Sequence, residues 1–211
     1  MLIKKKCKLE RSLGEKLFLK GDRCNSSKCG LARRPVRPGI HSNVKVGKRK
    51  KSSKTEFGRQ LNHKQKLRFS YLLSEKQLRK YFDQVKEKDN APELLLKKIE
   101  SRLDNIVFRL GLANSRSKAR QLVSHGHILV NKKIVKVPSV NIIINDEISL
   151  KELSKGKILT DALKLKMKQN ILPGWLTFSQ EELNGQVKDQ PMVEDLRNNF
   201  NLQSIVEYYS R

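Results

Sequence analysis

Acidic residues are scarce in this chain. Of its 211 residues, 21 are Asp or Glu and 46 are Lys or Arg, so the formal net charge is +25 with histidine neutral. Aromatic residues make up 6% of the sequence, with a single Trp, and the apolar fraction of 37% is low for a globular enzyme. This charge excess excludes a nearly neutral enzyme as the first hypothesis and indicates a polyanionic partner.

Long apolar runs are also lacking. The densest run, residues 140–144, is interrupted by Asn141, whereas a membrane-spanning helix needs roughly 18 consecutive apolar residues. The basic residues 4–6 are not followed by the apolar segment of a secretory signal. The 3 cysteines are an odd number, which favours a reducing compartment over a disulfide framework. We therefore expect a soluble protein of the cytoplasm.

The positive charge is concentrated in the N-terminal part of the chain. Residues 1–60 carry 19 basic and 4 acidic residues, a net charge of +15, whereas residues 166–211 carry 5 and 6, a net charge of −1. The densest basic run, residues 45–54, predicts an extended loop that folds against phosphate groups. A nuclear-localisation signal is a weaker interpretation of the same run.

A capping-box pattern marks the start of one helix. Ser74 is followed three residues later by Gln77, a combination in which each side chain bonds the backbone amide of the other residue. The apolar residues that follow share one helical face; they are Leu78, Tyr81, Phe82 and Val85. Pro92 suits the first turn of the next helix.

The strongest helical periodicity lies in residues 93–110 and predicts one continuous helix, with Gly111 as its stop. Ser115 is expected to cap a short helix over residues 116–124. Arg116 and Arg120 are four residues apart on that helix, so their side chains point the same way. Gly126 suits the left-handed position at which such a helix ends.

After Gly126 the pattern changes to short extended segments, which we predict at residues 127–130, 134–137, 140–144 and 147–150. Turn signals separate them, among them Asn131-Lys132-Lys133. Residues 100–150 thus predict a module of helices and a small sheet. We expect residues 153–170 to be helical and Trp175 to lie in the turn that follows.

Two stretches resemble the S4 RNA-binding domain: SRLDNIVFRLG at residues 101–111 and SRSKARQLVSHGHILVN at residues 115–131. Further matches extend over nearly the whole chain; they lie at residues 15–21, 33–35 with 38–39, 60–61 with 64–68, 175–176 and 207–211. Together they are similar to the family of bacterial-type small-subunit ribosomal proteins S4.

The resemblance implies an α+β, mainly helical fold. We expect residues 1–54 to form a basic, irregular N-terminal arm, and residues 55–99 together with 166–211 to form a helical body. Residues 100–165 form the inserted RNA-binding module of two helices and a small antiparallel sheet.

The resemblance also implies the function. Family members are structural constituents of the small ribosomal subunit that bind ribosomal RNA directly and nucleate assembly of its 5′ domain. They lie beside neighbouring small-subunit proteins, close to where mRNA enters, and contribute to translational accuracy. We therefore expect these three kinds of partner, with no membrane and no enzymatic activity.

The residues expected to bind RNA carry basic or polar side chains in the arm, in the body or in the module. They are Arg33, Arg34, Arg37, Lys48, Arg49, Lys50, Lys51, Lys64, Lys66, Arg68, Ser115, Arg116, Lys118, Arg120, Gln121, His125, His127, Lys132 and Lys133. RNA helices hide their base edges in a deep, narrow major groove, so we expect recognition of phosphates, 2′-hydroxyls and junction shape.

Several of these side chains and their neighbours have a second interpretation. His125 and His127 could be metal ligands or bases, but without a nearby carboxylate or cysteine, capping or phosphate contact is favoured. Asp104 could be a catalytic carboxylate, but a salt bridge to Arg102 or Arg120 is favoured. Three aromatic residues could stack on bases, although their spacing favours core positions; they are Tyr81, Phe82 and Trp175.

The cysteines raise the question of a metal. Some family members carry four cysteines here as a zinc or iron–sulfur site, with the second cysteine three residues after the first. In this chain Glu10 occupies that position after Cys7, upstream of Cys24 and Cys29. A shell of three Cys and one Glu is unusual for structural zinc, and His41 is a remote substitute. Buried free thiols without a cofactor are therefore favoured over a zinc site formed by these three cysteines.

Two other functions remain as alternatives. The module also occurs in RNA-modifying enzymes and tRNA synthetases, but no Gly-rich nucleotide loop, nucleophile elbow or His-Glu-x-x-His motif is present. A stand-alone translational regulator would use the same module on free RNA or stalled subunits. The matching N-terminal arm and C-terminal segment disfavour it. One departure from the family pattern is Lys132 after Asn131, where glycine is more usual in a tight hairpin turn.

Overall fold

A computed structural model describes residues 5–39, 55–153, 161, 167, 170–179, 182–192 and 200–210. The α-helices within these ranges are α1 (Lys6–Leu13), α2 (Gly30–Arg33), α3 (Glu56–Ser70), α4 (Glu75–Asp83), α5 (Ala91–Glu100), α6 (Leu103–Arg109), α7 (Arg116–Ser124) and α8 (Leu202–Tyr209). The strands are β1 (Ile128–Val130), β2 (Lys133–Ile134), β3 (Glu147–Leu150), β4 (Leu176–Ser179) and β5 (Asn184–Val187). No described helix has both the length and the apolar character needed to cross a membrane.

The chain divides into two compact units. The first comprises residues 1–92 and 199–211, and the second comprises residues 93–198. The division differs from the predicted one because β5 pairs with β3. Residues 176–179 and 184–187 are thereby part of the sheet of the second unit, whereas the sequence had assigned them to the helical body.

The first unit is helical, and hydrogen bonds at helix ends explain where its helices begin. The hydroxyl of Thr55 accepts a bond from the amide of Gly58 at the start of α3. The capping box of Ser74 and Gln77 is present in full at the start of α4, which confirms that prediction. The C-terminal helix α8 lies against α3, where the amide of Gln60 donates to the carboxylate of Glu207 at 3.0 Å.

The second unit places helices against one antiparallel sheet with the strand order β2-β1-β3-β5-β4. Its core is contributed by α6, α7 and the inner faces of the strands. The members that are 0% exposed are Leu103, Ile106, Val107, Leu112, Ala119, Val123, Ile128 and Ile148. These elements confirm the α+β, mainly helical fold.

The helix predicted over residues 93–110 is divided into two, and that prediction was wrong. Arg102 has an extended backbone (φ −69°, ψ 139°) between α5 and α6. The amides of Leu103 and Asp104 donate to carbonyls of the loop at Val140 and Pro138, at 2.9 and 3.1 Å. Hydrogen bonds from a distant loop therefore replace helical ones, which apolar periodicity cannot reveal.

The sheet also differs from the prediction. Residues 140–144 form no strand, and Asn141 makes only an isolated bridge to Arg102. The strands β4 and β5 were missed, although Leu176 and Phe178 alternate with polar residues in β4. Most of the helix predicted over residues 153–170 lies outside the described residues.

Candidate nucleic-acid interface

The exposed side of α7 carries the centre of the predicted RNA-binding set. The hydroxyl of Ser115 accepts a hydrogen bond from the amide of Lys118, so Ser115 caps the helix as predicted. Lys118 and Gln121 are exposed. Because Ala119, Leu122 and Val123 are buried on the opposite side, the helix cannot rotate without exposing its apolar face. Two further residues on this side, Arg116 and Arg120, are half-buried.

Each of the two arginines on α7 is held by a side chain of α6. Nε of Arg116 donates to Oδ1 of Asn105 at 2.8 Å, and its guanidinium lies 4.6 Å from the ring centre of Phe108. Nη1 of Arg120 lies 3.9 Å from Oδ2 of Asp104. The same carboxylate binds Arg102 at 2.7 Å, which confirms the salt bridges predicted for Asp104.

The turn after α7 adds two histidines. His125 is exposed and His127 half-buried, and their ring centres are 6.0 Å apart. Gly126 between them has φ +72°, and a Cβ there would lie 3.2 Å from Cε of Lys136. The exposed Lys136 thus lies beside this turn, a neighbour that sequence reasoning missed because the β1–β2 hairpin brings it there.

The β1–β2 hairpin presents two more lysines. Lys132 and Lys133 are exposed, and Val130 pairs with Lys133 across the turn. Asn131 and Lys132 both have positive φ, 49° and 66°, which is the backbone of a type I′ turn. The expected tight turn therefore forms even with lysine in the place where glycine is more usual.

The basic residues of the N-terminal arm lie in the other unit. Arg33 is the last residue of α2, and both Arg33 and Arg34 are exposed, while Arg37 is half-buried. Lys48, Arg49, Lys50 and Lys51 lie outside the described residues.

Three predicted RNA-binding residues of α3 are engaged within the first unit. Nζ of Lys64 lies 2.8 Å from Oε1 of Glu75 and is 4.4 Å from the ring centre of Tyr208. Nζ of Lys66 lies 2.6 Å from Glu15. Both lysines are buried, and Arg68 also pairs with Glu75, at 3.2 Å. These contacts give the three cations a role in packing.

Glu75 is the centre of that cluster. Burial alone would raise the pKa of its carboxyl, but hydrogen bonds from Lys64 and Tyr209 and the charges of Lys64 and Arg68 outweigh it and lower the pKa. The hydroxyl of Tyr209 donates to Glu75 at 2.7 Å. Burial and this bond raise the pKa of Tyr209. The cluster therefore joins α3, α4 and the C-terminal helix.

Glu10 lies beside one of the three cysteines, Cys24. All 3 are free, with Cys24 and Cys29 buried and Cys7 half-buried. Oε1 of Glu10 accepts hydrogen bonds from the amides of Leu17 and Leu19, both at 3.2 Å, and lies 3.8 Å from Sγ of Cys24. In the described part of the chain, no group of three His, Cys, Asp or Glu is arranged to hold a metal ion.

Two of the three aromatic residues considered for stacking are core residues. Phe82 and Trp175 are 4% and 2% exposed, and Phe82 stacks on Tyr209 with ring centres 5.1 Å apart. Tyr81 is half-buried. The predicted core positions of Phe82 and Trp175 are confirmed.

In the second unit, a basic helix packs on a second helix and a small antiparallel sheet. Its arginines are held by neighbouring side chains, and α7 exposes no aromatic residue that could stack on a base. This arrangement defines an RNA-binding module that suits phosphates and backbone shape. Family models agree: the S4 domain matches residues 101–148, and the ribosomal protein S4/S9 N-terminal domain matches residues 1–100. The chain belongs to the ribosomal protein S4 family, as the resemblance predicted.

Curated relatives match over nearly the full length. The protein named small ribosomal subunit protein uS4 of Koribacter versatilis is 41% identical over 206 residues, covering 97% of this chain and 96% of the relative. The protein of the same name from Acetivibrio thermocellus is 45% identical with the same coverage. Protein uS4A of Clostridium botulinum is 44% identical over 208 residues. The three names assign these relatives to the small ribosomal subunit, in agreement with the expectation of a ribosomal, non-enzymatic protein.

Proposed function

We propose that the protein is a structural constituent of the small ribosomal subunit that binds its RNA directly and nucleates folding of the 5′ domain. The observation that carries this proposal is the face formed by α7, the His125–His127 turn and the β1–β2 hairpin. On it, cationic side chains are held on a packed scaffold.

The mechanism is phosphate neutralisation at fixed positions. A duplex or junction of RNA presents phosphates and 2′-hydroxyls outward, while the base edges of its major groove are inaccessible to side chains. Each lysine or arginine that meets a phosphate releases condensed counterions, which drives association. Because the helix is anchored by buried residues, the spacing of its charges selects RNA shape instead of sequence.

The proposed RNA-binding set follows from exposure. In the second unit it comprises Ser115, Arg116, Lys118, Arg120, Gln121, His125, His127, Lys132 and Lys133, with Lys136 added. In the first unit it comprises Arg33, Arg34 and Arg37, and we extend it to Lys48, Arg49, Lys50 and Lys51 on their sequence alone. Lys64, Lys66 and Arg68 are left out because Lys64 and Lys66 are buried and all three side chains form close ion pairs within the first unit.

The partners in this proposal are small-subunit ribosomal RNA, neighbouring small-subunit proteins, and mRNA near the point where it enters the subunit. A contribution to translational accuracy follows from that location. The protein acts on the ribosome, in the bacterial cytoplasm or, alternatively, in an organelle.

We infer that the cysteine cluster holds no resident metal. The donor set does not match a typical zinc shell, since Glu10 stands where a fourth cysteine would be needed and structural zinc prefers four Cys or His ligands. The thiols of Cys24 and Cys29 then act as small buried apolar groups.

Binding to the naked 5′ domain of small-subunit RNA tests the proposal. We expect the full-length protein to bind this transcript without other proteins and to co-sediment with small subunits from a cell lysate. The double variant Lys118→Glu/Lys133→Glu reverses two exposed charges on the proposed face and should weaken binding at least tenfold. The matched control Lys76→Glu/Lys80→Glu reverses two exposed charges of α4. Equal losses in both variants, or no binding by the wild type, would contradict the proposal.

A further inference from the structure

A buried polar chain connects the end of α5 to the start of α7. The carboxylate of Glu100, which is 0% exposed, is bound by Arg109: Nη2 lies 2.7 Å from Oε1, and Nε lies 3.2 Å from Oε2. The amide nitrogen of Asn105 donates to Oε2 of Glu100 and, at 3.1 Å, to the backbone carbonyl of the same residue. Oδ1 of Asn105 in turn accepts from Nε of Arg116 at 2.8 Å.

This connectivity fixes the direction of the Asn105 amide. Both of the bonds that its nitrogen makes are to acceptors of Glu100, so its oxygen must face the opposite way, toward Arg116. Asn105 is 2% exposed, and a buried amide has no water with which to exchange these bonds. The guanidinium of Arg116 is therefore held at Nε by a partner that cannot turn away.

A second contact restricts the plane of the same guanidinium. Its central carbon lies 4.6 Å from the ring centre of Phe108, one turn further along α6, a distance at which a cation is attracted to an aromatic face. Arg116 is half-buried. A long arginine side chain on a surface ordinarily loses rotamer entropy when it binds, and these two contacts remove much of that freedom in advance.

We propose that Glu100 and Asn105 are positioning residues that pre-orient Arg116 for contact with a phosphate of the RNA. The inference rests on the proposed function, because it assumes that Arg116 touches RNA. Neither Glu100 nor Asn105 needs to touch the RNA. They act by fixing the direction in which the guanidinium of Arg116 points, which makes binding less costly in conformational entropy.

A double-mutant cycle tests the proposal. Affinity for the 5′ domain transcript is measured for the wild type, Asn105→Ala, Arg116→Ala and the double variant, with the full-length protein. We expect each single variant to weaken binding about tenfold, and Asn105→Ala to cause no further loss when Arg116 is already Ala. The control is Val107→Ala, which truncates a 0% exposed side chain of the same helix but leaves the polar chain intact. It should destabilise the protein without weakening binding.

Two further measurements keep the test independent of folding. Phe108→Leu removes the ring beneath the guanidinium without disturbing Glu100, and should also weaken binding only when Arg116 is present. Nuclear magnetic resonance relaxation of the Nε–H group of Arg116 should show an ordered side chain in the wild type and in Val107→Ala, and a mobile one in Asn105→Ala.

The outcomes separate the two proposals. Two results would overturn the positioning role while leaving the RNA-binding function intact. The first is that Asn105→Ala weakens RNA binding equally in the wild type and in Arg116→Ala. The second is that the side chain of Arg116 is equally ordered in the wild type and in Asn105→Ala. Wild-type affinity in Arg116→Ala overturns the assignment of Arg116 and the inference with it. Absence of binding by the wild type overturns the proposed function itself.

Discussion

Arg102 and Asp104 form a buried ion pair at the start of α6. Nη2 of Arg102 lies 2.7 Å from Oδ2 of Asp104, and Nε lies 3.0 Å from Oδ1. The residues are 0% and 5% exposed. Because Arg102 also interrupts the helix at this point, the pair fixes the place where α5 ends and α6 begins.

Removal of one partner of that pair should be costly. In Asp104→Ala the guanidinium of Arg102 stays buried without its counter-charge, and we expect a loss of about 3–5 kcal/mol in the free energy of unfolding. Urea unfolding followed by circular dichroism measures it. Asp83→Ala, which removes an exposed carboxylate of α4, is the control and should change stability by less than about 0.5 kcal/mol. A loss below about 1 kcal/mol in Asp104→Ala would contradict the structural role of the pair.

The turn of the β1–β2 hairpin offers a stabilising substitution. Lys132 has φ +66°, a conformation that costs a residue with a Cβ roughly 1–2 kcal/mol. Lys132→Gly removes that cost. The substitution also raises the conformational entropy of the unfolded chain, which offsets part of the gain. We therefore expect the free energy of unfolding to rise by a net value of about 0.5–1 kcal/mol. The matched control is Lys133→Gly, in strand β2, which should destabilise instead. Thermal unfolding of both variants and the wild type tests this prediction. A melting temperature for Lys132→Gly below that of the wild type would exclude the type I′ assignment.

The Glu75 cluster predicts a pH dependence of stability. The folded protein lowers the pKa of Glu75 from its ordinary value of 4.5, so the folded state holds the ionised form more favourably than the unfolded chain does. This contribution is present above pH 4.5 and is lost as the pH falls through the lowered pKa. The stability difference between the wild type and Glu75→Gln should therefore be largest near neutral pH and shrink in acid. A difference that stays constant from pH 7 to about pH 3 would refute the linkage.

Metal analysis checks the inference about the cysteines. The purified wild type and Cys24→Ser should contain the same trace amount of zinc. Glu10→Cys supplies a fourth cysteine three residues after Cys7 and should take up about one zinc ion per chain. Stoichiometric zinc in the wild type that is lost in Cys24→Ser would show that Cys24 is a zinc ligand and would contradict the inference.

Local signals in the sequence predicted local structure correctly. Ser74 with Gln77 and Ser115 with the helix after it were found because a cap needs only neighbouring residues. The salt bridges of Asp104 were also predicted, since a lone carboxylate among basic residues will pair with them. The sequence resemblance added the family, which composition and periodicity alone could not provide.

Contacts between distant segments could not be read in the same way. The helix break at Arg102 depends on the carbonyls of Pro138 and Val140, and the position of Lys136 depends on the hairpin folding back onto Gly126. The pairing of Lys64 with Glu75 likewise needs the packing of α3 on α4 and α8. In each case the decisive partner is set by tertiary structure, so a basic residue in the sequence can be either a buried packing group or a ligand for RNA.

The salt dependence of RNA binding tests the central claim most directly. Affinity of the full-length protein for the 5′ domain transcript is measured across a series of salt concentrations at constant pH. If the cationic face exists to neutralise phosphates, the logarithm of affinity should fall linearly with the logarithm of salt concentration, by about 0.7–0.9 for each phosphate contacted, giving a steep overall slope. Retained binding with a flat salt profile, or no binding at low salt, would contradict the account.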